Sequence, residues 1–274
     1  MKVKFYGVRG SVPTPGLEFA QYGGNTLCVL VTFSNNRMCI LDAGTGIRVL
    51  GNEMTGWRRE EITNLCLLMT HTHLDHIEGF RFFKPGYDPG VKLSIVTCGM
   101  GREEGELRNA LEEHMSPHFH PVPLSQMGAD IVIEQTPAAS WDIADGITVD
   151  AMEIPHPVKT FSYRFHDNGK TLVYCTDIEH GDSVNARVIE FARGADLLIH
   201  DAQYTPEELL TRKGWGHSSW EQAIEVGERA GVKKLALFHH DPDHDDSMLG
   251  GIEAQCRDRF PAAFMAREGM EIEL

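Results

Sequence analysis

Apolar and polar residues alternate over residues 1–6, and apolar stretches recur at 27–33 and 38–41, which predicts strands over residues 2–8, 27–33 and 38–41. Ser34-Asn35-Asn36-Arg37 supplies turn chemistry between the last two. A short helix is predicted over 47–54, and the nearly continuous apolar run 62–70 reads as a buried strand. Lys84-Pro85-Gly86-Tyr87-Asp88-Pro89-Gly90 reads as a loop, followed by a strand over 92–98 and a charged helix over 102–114. Pro117, Pro121 and Pro123 then hold an extended stretch out of helix. Strands are predicted at 130–135 and 147–154, then a hairpin whose arms, 160–165 and 171–176, flank Asp167-Asn168-Gly169. From there helix and strand alternate: helix 184–192, strand 196–199, helix 218–230, strand 234–238, helix 247–259. With no short repeat and no linker, the order predicts one α/β domain over residues 1–274, with sheets packed face to face under outer helices.

Composition narrows the partners. The chain has 274 residues, with 25 Lys plus Arg against 40 Asp plus Glu, a formal charge of −15. That balance argues against a long nucleic acid or an anionic membrane, because surfaces that track phosphate need clustered cations. The six cysteines are scattered and never form CxxC, as expected of buried, reduced thiols in the cytoplasm. The amino terminus lacks the apolar block of a signal peptide, and no apolar run reaches the ~18 residues of a membrane span.

Fourteen histidines prompt a search for metal-ligand clusters. The densest is Thr70-His71-Thr72-His73-Leu74-Asp75-His76, directly after the predicted strand 62–70. In extended backbone, residues two apart point the same way, so His71 and His73 can share one cation while Asp75 and His76 turn toward a second. Histidine nitrogen and carboxylate oxygen suit zinc, with manganese and iron as alternatives. Three more candidates end predicted strands: His156 between Pro155 and Pro157, Asp177, and His239.

On these residues the chain resembles the metallo-β-lactamase superfamily, whose signature is similar to His71-Thr72-His73-Leu74-Asp75-His76. The resemblance extends over nearly the whole chain. It implies an αββα sandwich of two mixed β-sheets and two divalent metal ions, most readily Zn2+. One would be held by His71, His73 and His156, the other by Asp75, His76 and His239, with Asp177 bridging. It also implies that Asp42, in Leu41-Asp42-Ala43-Gly44-Thr45-Gly46, supports the site without being a direct ligand.

A second stretch, Gly216-His217-Ser218-Ser219-Trp220-Glu221-Gln222-Ala223 with its continuation to His239, resembles ribonuclease Z and its phosphodiesterase relatives. This implies that His217 contacts the scissile phosphate and that Asp201 orients it, with Asp75 completing the catalytic residues. Ser218 and Ser219 open a helix whose free amides would suit an anion. The implied reaction is attack on phosphorus by a hydroxide that the metals would hold, with His217 stabilising the developing charge or protonating the leaving oxygen. No long, basic, Gly-rich arm is visible, and with the acidic charge this favours a small anionic phosphodiester, cyclic or not, over a long polynucleotide. A homodimer is compatible with this reading. The alternatives are a carbonyl hydrolase acting on a thioester, lactone or β-lactam, and a non-hydrolytic metal-bearing scaffold. Arg9 is a further candidate to reach phosphate, whereas His114, His118 and His120 are expected in a solvated loop.

Overall fold

The computed structural model describes residues 1–274. Fourteen strands run in order as β1 Lys2–Gly7, β2 Cys28–Thr32, β3 Met38–Leu41, β4 Asn64–Leu68, β5 Lys92–Cys98, β6 Asp130–Thr136 and β7 Ser140–Ala144, then β8 Ile147–Ile154, β9 Thr160–Asp167, β10 Lys170–Cys175, β11 Leu197–Asp201, β12 Leu235–Phe238, β13 Ala263–Met265 and β14 Glu271–Glu273. The helices are α1 Gly46–Met54, α2 Arg59–Ile62, α3 Leu74–Ile77, α4 Glu106–His114, α5 Ala186–Ala192, α6 Pro206–Leu209, α7 Trp220–Ala230 and α8 Asp246–Arg259.

The strands form two seven-stranded sheets, ordered β14-β1-β2-β3-β4-β5-β6 and β13-β12-β11-β10-β9-β8-β7. Each is mixed. In the first, β14 to β3 pair antiparallel and β3 to β6 parallel. In the second, β7 to β10 pair antiparallel and β10 to β13 parallel. Apolar faces of the two sheets meet through Phe5, Leu41 and Leu68 on one side and Phe165, Tyr174 and Phe238 on the other. The Phe5 and Phe238 rings lie 5.9 Å apart, and truncating one such buried ring costs about 3–5 kcal/mol.

Helices cover both outer faces. Ile47, Leu50 and Met54 of α1, spaced for one helical face, pack with Tyr6, Leu30 and Ile40. Ala223, Ile224 and Ala230 of α7 and Leu249 and Ile252 of α8 pack with Val173, Leu198 and Leu237. Two mixed sheets under outer helices are the αββα sandwich expected from the sequence.

The departures from expectation are local. The helix predicted from residue 102 starts at Glu106, because Gly105 adopts φ 78°, a left-handed conformation that blocks a continuous helix. The run 62–70 contains the end of α2 and then β4, after which Met69 and Thr70 leave the strand. Strands β7, β13 and β14 and helices α2, α3 and α6 have only three to five residues each, too few to show a period. No helix is long and apolar enough to cross a membrane. All six cysteines are free, five of them buried.

Candidate metal centre

The carboxyl ends of the parallel strands converge on one place. Asp42 follows β3, His71 lies just beyond β4, Asp177 follows β10, Asp201 ends β11 and His239 follows β12. Asp42, Asp177 and His239 have φ of 57°, 56° and 63°. Left-handed backbone at a residue with a side chain costs of order 1–3 kcal/mol and persists only where the surroundings enforce it. Here it turns the chain sharply off each strand and swings the side chain across the sheet end.

Two clusters result. His71, His73 and His156 place their rings 4.6–4.9 Å apart, with His156 Nε2 only 3.1 Å from His73 Nδ1. Asp75, His76, Asp177 and His239 form the second, and all four are buried. Asp177 faces both: its Oδ2 lies 3.2 Å from His76 Nε2, and its Oδ1 lies 3.2 Å from His239 Nε2 and 3.8 Å from His71 Nε2. Asp75 Oδ2 lies 3.2 Å from His239 Nε2 and accepts the Ser11 backbone N–H at 2.8 Å.

Hydrogen bonds fix which ring nitrogen is bare. His76 Nδ1 lies 3.3 Å from Thr70 Oγ1 and 3.0 Å from Asp42 Oδ2; since Thr70 gives its own proton to Asp42, both neighbours can only accept, so Nδ1 carries the proton. Thr70 Oγ1 donates to the Asp42 carboxylate at 3.0 Å and therefore accepts from His71 Nδ1 at 3.1 Å. The Gly216 carbonyl accepts His156 Nδ1–H at 2.9 Å. When neutral, each of the three rings presents Nε2 inward as its bare nitrogen. For His71 and His76 that atom is buried without a hydrogen-bond partner, His76 Nε2 being out of line with the nearby Asp177 oxygen. Burial of bare nitrogens beside two carboxylates is costly unless a cation satisfies them, so the donor set fits two divalent ions.

The electrostatics divide the two clusters: in the second, burial lowers His76 and His239 but Asp177 outweighs it and holds both well above the usual imidazole value, so an ion bound there would take the place of a ring proton. Burial pushes the Asp177 carboxyl up, but His239 and His76 outweigh it and hold the group well below the usual range. Asp75 is likewise held down by His76 and His239 against its burial. His71, buried and beside His76, is pressed well below the usual imidazole value, and burial lowers His156 to about 4. These two are therefore neutral, as ligands must be.

Beside the clusters, His217 Nδ1 donates to Asp201 Oδ2 at 2.8 Å, and its ring stacks on His239 with centroids 4.6 Å apart. Asp201 also accepts the backbone N–H groups of Ser218 at 2.8 Å, Asp177 at 3.2 Å and Gln203 at 3.3 Å. The carboxylate therefore fixes the imidazole and the chain at Asp177 together.

Three expectations are corrected. The amides at the start of α7 are not free for an anion: Ser218 N–H goes to Asp201, Ser219 N–H to Gln222 Oε1 and Gln222 N–H to Ser219 Oγ. Arg9 does not reach the site; it is fully buried and donates to the carbonyls of Gly23, Asp241 and His244. His114 is buried at the end of α4 and is not in a solvated loop, whereas His118 is exposed and His120 meets the Tyr87 hydroxyl at 3.3 Å.

Other contributors carry no local motif. Glu179 accepts the N–H groups of Gly214 and Gly216 at 2.8–3.0 Å, tying down the loop that holds His156 and His217. Tyr174 donates to Asp42 at 3.0 Å. A Cβ on Gly10 would come within 2.2 Å of the His239 ring, and one on Gly216 equally close to His156 Nδ1. His180, partly buried, and His200, fully buried, pair at 3.2 Å: Asn185 N–H donates to His180 Nδ1, His180 Nε2–H to His200 Nε2, and His200 Nδ1–H to the Asp201 carbonyl.

Residues 37–240 match the model of the β-lactamase superfamily domain. Ribonuclease Z of Agathobacter rectalis is 33% identical over 329 aligned positions, covering 100% of this chain and 98% of that protein. Ribonuclease Z of Brevibacillus brevis is 36% identical over 104 residues, and this match spans 36% of the chain but only 31% of the relative's length. The metallo-β-lactamase fold protein YhfI of Bacillus subtilis superposes with a TM-score of 0.71 at 18% identity, covering 100% of this chain and 98% of YhfI.

Proposed function

This chain belongs to the β-lactamase superfamily, in its ribonuclease Z-like branch, and on that premise we propose that it is a two-metal phosphodiesterase acting on RNA phosphodiesters. In this reading His71, His73 and His156 hold one divalent ion, Asp75, His76 and His239 the other, and Asp177 bridges them. Zinc is the ion best matched to three-histidine coordination, with Mn2+ and Fe2+ as alternatives. When bound, such ions lower the pKa of a water and neutralise phosphoryl oxygens.

The chain's own groups do the rest. Asp201 keeps the His217 proton on Nδ1, so the outer nitrogen, when protonated, donates to a phosphoryl or leaving oxygen. Asp75, with its second oxygen free of the Ser11 bond, accepts from the attacking water. The single observation that carries the reading is the 2.8 Å His217–Asp201 pair stacked against His239. A carbonyl hydrolase would give that pair no comparable duty.

The preference for a small substrate rested on net charge and on the lack of a long, basic, Gly-rich arm, and the relative named ribonuclease Z, aligned over 98% of its length, weighs against it. One observation favours a small or short phosphodiester as a second reading: 329 aligned positions against 274 residues leave at least 55 positions of the Agathobacter protein without a counterpart here. A panel of bis-p-nitrophenyl phosphate, cyclic nucleotides, single-stranded RNA, a thioester and a lactone, with added Zn2+ or Mn2+, tests the proposal. Turnover confined to the thioester or lactone would overturn it. The six free thiols suit a reducing cytoplasm, and one domain over residues 1–274 suffices for the whole site.

A further inference from the structure

A pocket of about 590 Å3 opens between α1, the turn after α3 and the segment after α4. Arg48, Arg81 and Lys84 line it together with Phe82, Tyr87 and His120, and no carboxylate does. That is unusual on a chain carrying 40 acidic residues. Most of the other cations pair with them, for example Lys4 with Glu53 and Arg59 with Asp88, but Arg48, Arg81 and Lys84 make no ion pair. Three unneutralised cations in one cavity repel one another, a cost that an anion relieves.

We propose that this pocket is a second binding site for single-stranded RNA, taking a nucleotide on the strand that continues from the bond cleaved at the metal centre. The inference rests on the phosphodiesterase reading above and specifies where its substrate extends. Arg81 is held for such a role. Its Nε and Nη1 donate to the carbonyls of Glu78 and Phe119 at 3.2 and 3.1 Å, which fixes the guanidinium and leaves Nη2 for a ligand. The Tyr87 hydroxyl donates to the Arg81 carbonyl at 2.6 Å and accepts from His120 Nε2 at 3.3 Å.

His120 in turn meets the Phe82 ring edge-on, with centroids 5.6 Å apart, and 53% of Phe82 is exposed. A propped, exposed aromatic ring among cations matches the two faces of a nucleotide: the ring stacks on a base, and the cations meet phosphates. The site is also close to the chemistry. Arg81 follows the candidate ligand His76 by five residues, so their Cα atoms are at most about 18 Å apart.

The test uses the metal-loaded protein and a 5′-fluorescein-labelled oligouridylate read by fluorescence anisotropy, with His217→Ala as the background so that the probe survives. Adding Arg48→Ala and Lys84→Ala should weaken binding at least tenfold at low salt. The dependence of log Kd on log salt should fall by about 1.4, the value for two phosphate contacts on a single strand. Phe82→Ala should weaken binding roughly tenfold with the salt dependence unchanged. Both cations are exposed, and turnover of bis-p-nitrophenyl phosphate by the same substitutions in the His217 protein, within twofold of the parent, shows that fold and metal centre are intact. Wild-type affinity and salt dependence in the double variant would overturn the inference while leaving the phosphodiesterase reading standing. Loss of all phosphodiester turnover in the parent would sink that reading, and the anisotropy series would still decide whether the pocket binds RNA.

Discussion

Asp42 lies against His76: its Oδ2 is 3.0 Å from the imidazole Nδ1, and both groups are fully buried. Asp42 is itself held by Thr70 and Tyr174, so an aspartate outside the two clusters bears on the tautomer of a proposed ligand. Asp42→Asn should lower divalent-metal affinity about 10- to 100-fold, the usual effect of losing a ligand's supporting carboxylate. Competition with a chromogenic chelator measures it, and unchanged affinity would show that His76 is oriented by other means.

Two divalent ions per chain are expected in protein produced in metal-supplemented medium, and His71→Ala should lose at least one. Asp177→Ala should lose more metal than His239→Ala, because Asp177 faces both clusters. Elemental analysis decides both points. Only trace metal in the parent protein would rule out the dinuclear assignment.

His217→Ala should leave metal content unchanged and reduce phosphodiester turnover by roughly 10²–10⁴, the range for a lost general acid. Asp201→Ala should cost less, and the double variant should match His217→Ala because the two act as one unit. Activated p-nitrophenyl esters need little leaving-group protonation, so a smaller defect on them identifies proton donation as the role.

Acid should destabilise the fold through His180 and His200. Burial, and then His200, lowers His180 to about 3, and His200 is lowered by burial as well. Both are neutral in the folded chain and protonate near the ordinary value of ~6.5 when it unfolds. Below that pH the unfolded state binds more protons. Their stability contribution is therefore complete above about 6.5 and is lost as pH falls toward 3. His180→Gln should remove up to about 1.4 kcal/mol per pH unit of this dependence. Urea unfolding at several pH values, with chelator present throughout, checks the slope; a variant with the parent's slope would refute the assignment.

Gly10→Ala should weaken metal binding although residue 10 carries no ligand, because the added methyl group would displace the His239 ring. Calorimetric titration with Zn2+ should show the loss in the cluster of Asp75, His76 and His239, with the other site less affected.

The parts of the site carried by local spacing were legible beforehand. His71 to His76 sit within six residues, and His156, Asp177 and His239 mark strand ends, so periodicity located them and the structure brings them together. What escaped was what depends on distant chain. Glu179 acts through Gly214 and Gly216, His180 through His200, and Gly10 through His239, pairings that no local pattern announces. Arg9 was misread because a cation near a candidate phosphate site invites that role, whereas three buried carbonyls claim it. Net charge carries no position: a sum over the chain cannot show that Arg48, Arg81 and Lys84 gather in a pocket that no acid lines.

The clamp made by Arg9 also bears on synthesis. Its guanidinium waits for the carbonyls of Asp241 and His244, and β1 gains its outer neighbour only when β14 pairs Lys2 with Glu273. β1 is thus finished by a strand from the far end of residues 1–274. A nascent chain carrying the complete 71–76 motif still lacks His239, the Arg9 anchor and the closing edge of its first sheet. Such non-local closure folds slowly and leaves β1 open to other chains meanwhile. Aggregation of chains cut before residue 239 is the outcome this late pairing leads one to expect.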